Sequence, residues 1–194
     1  MHARFDQSGS PWAAKIEAAY IPLEAINRAA PTSDRYPQVE KGTELLRIPL
    51  ESGWAFQRHS LRECGVIISG PDPRTFVTPV ERVDMQHSAS TIINGWLEQS
   101  RNDPSWISWA REKNSQAFIV LTLCRILYSL EIGSVASKPV AARWAQRSLE
   151  PRWSLLIERS LANQNNKQES SEVDLNEMLA FLIYAADRIQ PGKI

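Results

Sequence analysis

Residues Ser115 to Ile132 read SQAFIVLTLCRILYSLEI, and this stretch decides the fold. Its apolar side chains fall on nearly every face of a 3.6-residue period, which predicts a helix buried almost all round. Gly133 ends it as a C-cap. Such a helix needs other helices to cover it, and the flanking sequence supplies them. Upstream, Trp54, Phe56, Leu61 and Cys64 suit one helix closed by Gly65. Val80 to Gln99 suits a second, with Val83, Ile92, Ile93, Trp96 and Leu97 as its apolar stripe. Asp103 caps a third, with Pro104 in its first turn. Downstream, Ser137 heads SKPVAARWAQRSL, Pro151 heads PRWSLLIERSLA, and Asp174 to Ile189 makes the last helix. Between Cys64 and Val80, the brief apolar segment Val66 to Ser69 precedes GPDPRTF. There Gly70, Pro71 and Pro73 force a turn. Asn163 to Ser171 reads as a polar loop. The expected fold class is mainly α, a helical bundle.

The first fifty residues differ. Lys15 to Ile21 (KIEAAYI) reads as a short strand, with Glu17, Ala19 and Ile21 on one face and Ile16, Ala18 and Tyr20 on the other. A single strand is not stable alone, and no partner is evident downstream. Pro22 to Pro49 is rich in proline and polar residues and reads as an irregular connector. The expected organisation is therefore residues 1–50 as a short β-containing segment and 51–190 as the helical domain.

Composition narrows the function classes. The chain has 194 residues, and its 22 basic and 22 acidic side chains leave no formal net charge. A generic nucleic-acid or membrane-surface binder carries a basic excess, so neither partner is expected. Cys64 and Cys124 each sit among apolar residues at helical spacing and read as buried thiols rather than a disulfide. No Cys/His cluster has zinc spacing. The first residues hold no apolar core of signal-peptide length, and the apolar run Ala117 to Leu123 is too short to span a bilayer. A reducing, cytoplasmic setting is the expectation.

Several familiar catalytic motifs are absent: a glycine-rich phosphate loop, G-x-S-x-G, H-E-x-x-H and a D-x-D pair. His2 is terminal, and His59 and His87 lie on helices without acidic partners at ligand spacing. Arg125 stands out, because a guanidinium within VLTLCRILYSL is costly unless paired or hydrogen-bonded. It either emerges at a helix end or pairs with a core carboxylate such as Glu131, or it faces a cleft where its fork takes two oxygens of a phosphate. Lys138 sits in the first turn of the next helix, where unpaired N–H groups attract anions; it is either a solvated lysine or part of an anion site. Trp144 and Trp153, at helical spacing, read as core.

Three stretches taken together resemble the C-terminal helical domain of the aminoglycoside adenylyltransferases, the streptomycin- and spectinomycin-modifying enzymes and their relatives. They are LRECGVIISGPDPRTFVTPV, VLTLCRILYSLEIGSVASKPVAARWA and PRWSLLIERSLA. KIEAAYIPLEAI resembles the end of that family's nucleotidyltransferase core, so the likeness runs from about Ala14 to Leu161. The resemblance implies that residues 1–50 are a β remnant of the α/β core, its last strand and connector. It implies AMP transfer from ATP to a hydroxyl of a small molecule. Glu17 matches the family's catalytic base, and Arg125 and Lys138 match the basic pair that holds the nucleotide phosphates. The two cations are expected to converge on one cleft at the end of the central helix.

The departures are as specific as the matches. The family's G-S motif and D-x-D pair, which hold Mg2+ on ATP, have no counterpart; Ser8 to Ser10 (SGS) is followed by no acidic pair. Ser115, Gln116 and Ala117 stand where drug-modifying members place acidic residues. The expectation is a truncated or start-shifted copy, inactive alone. ATP and Mg2+ would serve only in combination with an intact core, with no metal ligand and no cofactor for the chain by itself. The alternative is a non-catalytic helical module that binds a partner chain or a small ligand. Expected partners are a small-molecule hydroxyl acceptor and either a core-domain chain or a second copy joined through the N-terminal strand.

Overall fold

The computed structural model describes residues 8–12, 15–28, 33–39, 44–165 and 174–190. They form eight α-helices and one three-stranded sheet, mainly α as the sequence predicts. The chain divides into two compact units, Met1–Pro79 and Val80–Ile194.

The first unit holds β1 (Ala18–Ala19), α1 (Leu23–Ile26), β2 (Arg35–Val39), β3 (Leu46–Pro49) and α2 (Trp54–Cys64). The segment expected as an irregular connector thus contains two strands and supplies the partner that β1 requires. β1 pairs antiparallel with β2, Ala18 opposite Val39, and β2 pairs with β3, Tyr36 opposite Ile48. Pro37 lies in the central strand, where proline is ordinarily excluded. Its carbonyl accepts from Tyr20 N at 2.9 Å. Its missing N–H lies on that same side, where β1 is already ending, so the β2–β3 ladder is uninterrupted.

The boundary between units falls later than residue 50 because α2 belongs to the first core. Ala25, Ile26, Tyr36, Leu50, Trp54 and Val77 are buried together, with Ile21, Leu61 and Phe76 packed against them. Two arginines of α2 tie the GPDPRTF turn and the residues just after it to this core. Buried Arg58 donates to Asn27 O at 3.4 Å and Thr78 Oγ1 at 3.2 Å. Arg62 donates to Arg74 O at 2.9 Å and to Val77 O. Within the turn, the Arg74 guanidinium bonded to Asp72 holds that carboxyl down to about 2. Gly65 does close α2, in an extended conformation; a Cβ there would lie 2.3 Å from Leu61 O. The chain beyond leaves the core. Val66 and Ile68 are 88% and 96% exposed, and Cys64, expected to be buried, is exposed because α2 ends past the covered surface.

The second unit is built round α5 (Lys113–Ile132), which touches α3 (Arg82–Asn102), α4 (Pro104–Ala110), α6 (Lys138–Ser148), α7 (Ser154–Asn165) and α8 (Leu175–Arg188). Twelve of its 20 residues are buried, which is why it requires neighbours on so many sides. It is also long and apolar enough to cross a membrane by length and composition, but 67% of that apolar window is buried, as in a core helix. Asp103 caps α4 by accepting from Ser105 N and Trp106 N. Gly133 ends α5 in the left-handed conformation, φ 76°. Ser137 occupies the N-cap position of α6 but its side chain makes no cap bond. Trp153 is core, packed on Phe181 and Tyr184, while Trp144 is half-buried against Tyr128. The polar stretch from Asn163 begins inside α7; Asn166 to Ser171, like His2, lies outside the described residues.

Two outcomes are expected. Leu123, fully buried, should cost about 2–5 kcal/mol of unfolding free energy when changed to Ala, read by urea denaturation. A loss under about 1 kcal/mol would show that the α5 site collapses around the gap. In native protein an aromatic disulfide reagent should modify Cys64 rapidly and Cys124 only after unfolding, because burial pushes the Cys124 thiol well up. Fast modification of both thiols would contradict this core.

Candidate functional site

One strip of α5 escapes full burial. Phe118, Thr122, Arg125, Tyr128 and Ile132 recur at helical spacing and are half-buried or exposed. Arg125 therefore lies on the open strip and not in the dry interior. Its Nε donates to Ala136 O at 2.9 Å, and among the described residues no carboxylate pairs with it. Glu131, the carboxylate the sequence offered, is exposed. The two Nη groups are neither buried nor bonded among the described residues, so the fork opens to solvent. Partial burial pulls the Arg125 pKa below the usual arginine value, yet a guanidinium keeps its charge at any physiological pH.

The link from α5 to α6 explains how Lys138 reaches the same strip. Residues 133–137 are not a tight turn. They run back along α5, passing Arg125 with the Ala136 carbonyl. α6 then starts beside the first half of α5, where Lys138 Nζ lies 4.7 Å from the centre of the Phe118 ring. Further on, Trp144 meets Tyr128 edge to face at 5.6 Å. The two helices therefore run in the same sense here. The two cations flank one strip, in the first half and middle of α5 and not at its end. The expectation of convergence at the helix end fails because the connection doubles back.

The rest of the neighbourhood is aromatic. Phe118 meets Trp96 of α3 at 6.2 Å and Trp109 of α4 at 6.3 Å, both edge to face, and Trp109 in turn meets Trp106. Sequence reading by apolar stripe did not single out Phe118; its spacing of seven from Arg125 was the available signal. Ser115, Gln116 and Ala117 are buried in the first turns of α5, and Gln116 Oε1 has no hydrogen-bond partner. Two shallow cavities lie elsewhere, one of about 320 Å³ beside Ser100–Pro104 and one of about 460 Å³ between α3 and α8; neither is lined by Arg125 or Lys138.

Glu17 belongs to the first unit, exposed, immediately before β1. His59 is half-buried on α2 and His87 exposed on α3. Among the described residues, no three His, Cys, Asp or Glu side chains gather where they could hold a metal.

Fold and site together define a mainly α domain wrapped round one buried helix, with a basic pair along its open strip. The chain belongs to the family described as aminoglycoside adenylyltransferase, C-terminal domain, whose model matches residues 75–188. Arg125 and Lys138 fall inside that span and Glu17 outside it. Among curated relatives, the aminoglycoside (3'') (9) adenylyltransferase of Rhizobium radiobacter is 33% identical over 125 residues, 62% of this chain and 43% of the relative. Proteins of the same name from Klebsiella pneumoniae and Escherichia coli are 28% and 27% identical. They cover 62% and 66% of this chain, and 44% and 45% of their own length is matched. The match thus spans less than half the length of these relatives.

Removing the guanidinium should be felt in the fold. Arg125→Met leaves the Ala136 carbonyl without its donor and should lower unfolding free energy by about 1 kcal/mol, measured by urea denaturation. Unchanged stability would mean that water replaces the bond at no cost.

Proposed function

We propose that this chain is the nucleotide-gripping helical part of an adenylyltransferase-type system that moves AMP from ATP to a hydroxyl of a small molecule. The observation that carries the reading is the open strip of α5, where the Arg125 fork faces solvent without a carboxylate and Lys138 lies on the same strip. A planar guanidinium and an ammonium along one strip suit the oxygens of a polyphosphate. In this arrangement the pair neutralises the nucleotide phosphates and the departing pyrophosphate. Glu17, the residue that resembles the family's base, accepts the proton of the acceptor hydroxyl.

Phosphoryl-type transfer draws most of its charge stabilisation from metal ions. The sequence has no D-x-D pair, and no metal-binding group forms among the described residues. Mg2+ is accordingly assigned no site in this chain. The chain by itself transfers no AMP, and transfer requires a core that supplies the metal carboxylates. The acceptor is also not a polycation of the streptomycin or spectinomycin type, because Ser115, Gln116 and Ala117 offer buried, uncharged side chains where a cation would need carboxylates.

Calorimetric titration with ATP without metal tests the grip, and mass spectrometry of streptomycin and spectinomycin incubated with ATP and Mg2+ tests the chemistry. Binding to the wild type should weaken by about tenfold in Arg125→Ala and in Lys138→Ala, the scale of one charge-assisted hydrogen bond. No adenylated drug should form. ATP binding that both variants leave unchanged would remove the phosphate assignment, and adenylated drug would show that this chain needs no separate core.

A further inference from the structure

The two cations of the strip are held by different means. Arg125 is tied by a hydrogen bond from Nε to Ala136 O. Lys138 heads α6 two residues later, and its ammonium lies 4.7 Å from the centre of the Phe118 ring. An ammonium over the face of an aromatic ring is attracted by the ring quadrupole. Phe118 sits seven residues before Arg125, two helical turns or about 10 Å along the same face of α5. The ring is itself braced, with Trp96 on one helix and Trp109 on another meeting it edge to face. It is also 44% exposed, unusual for a phenylalanine fixed by two tryptophans, so burial alone does not account for it.

We propose that Phe118 is a positioning residue for Lys138: its braced ring holds the lysine ammonium on the α5 strip in line with Arg125, so that the two charges present a preformed seat for a polyphosphate. The inference rests on the reading of Arg125 and Lys138 as phosphate-binding. A lysine stem has four rotatable bonds, and leaving it unrestrained would make the ligand bear the entropy of ordering it. The ring, its centre 4.7 Å from the ammonium, contributes to that order beforehand. It also explains how a lysine at the start of α6 serves a site centred on the middle of α5: the return segment brings its backbone near, and the ring fixes where the charge rests.

The test is a binding cycle joined to a spectroscopic measurement on the full chain. Wild type, Phe118→Leu, Phe118→Tyr, Lys138→Ala and the Phe118→Leu/Lys138→Ala double variant are titrated with inorganic pyrophosphate. Phe118→Leu should weaken binding about two- to fivefold, Phe118→Tyr should restore it, and Phe118→Leu should add nothing once Lys138 is gone. In parallel, the lysines are carbon-13 dimethylated and the resonance missing in Lys138→Ala is followed by NMR. It should be ring-current shifted in the wild type and in Phe118→Tyr, and should move to the position of solvated lysines in Phe118→Leu. Equal weakening by Phe118→Leu with and without Lys138, or pyrophosphate binding with no ring-current shift, overturns the role of Phe118 alone. A shift present without pyrophosphate binding overturns the phosphate reading and, with it, the purpose assigned to the ring.

Discussion

The second unit depends on the burial of one helix. α5 has so little polar surface that it must be covered on almost every side, and five helices of the unit do so. The exception is the strip from Phe118 to Ile132, covered in part by an extended return of chain. That exception makes the arginine tolerable. In the dry centre of the bundle its charge would need a buried carboxylate, and breaking such a pair is far costlier than making it is rewarding. On the strip, one nitrogen satisfies a backbone carbonyl that the return segment would otherwise leave unpaired, and the others meet water. The same return sets the start of α6 and hence the place of Lys138. A packing requirement and a charge arrangement are thus one piece of structure.

The first unit is stabilised differently. Its apolar core is small, and two arginines of α2 add to it: Arg62 bonds the backbone of the proline-rich turn, and Arg58 bonds Asn27 O and the Thr78 hydroxyl just beyond that turn. Such bonds fix a loop that has no regular ladder of its own. They explain why the turn ends in the same unit as the sheet and why α2 belongs there too. Glu17 stands at the entry to this sheet, one residue before the first β1–β2 pair, Ala18 opposite Val39.

A helical domain does not by itself announce a chemistry. Family membership here covers the helical part, and the relatives are more than twice as long as the stretch they share with this chain. What the strip offers is two cationic side chains with an aromatic neighbourhood, and the proposed reading has them bind and position an anion. What a transfer reaction adds is a metal held by carboxylates, and the sequence contains no D-x-D pair. Grip and chemistry are separable functions, and the proposed reading assigns only the first to this chain acting alone.

By itself the sequence determined the helices. The all-round apolar period of α5, the Asp103 cap, the Pro104 start and the Gly133 stop are local signals, each set by side chains within a turn or two. It also marked Arg125 and Lys138, because a charge inside an apolar run and a lysine at a helix start are visible without coordinates. Tertiary structure decided the rest. β2 was hidden because Pro37 argues against a central strand, and only the sheet shows that its missing donor falls where β1 ends. The exposure of Cys64 depended on where the first core stops. The path of residues 133–137 depended on which strip of α5 the other helices leave only partly covered. Lys138 met Phe118, twenty residues away in sequence, because that path runs backwards, and no periodicity within either helix encodes the direction of the chain between them.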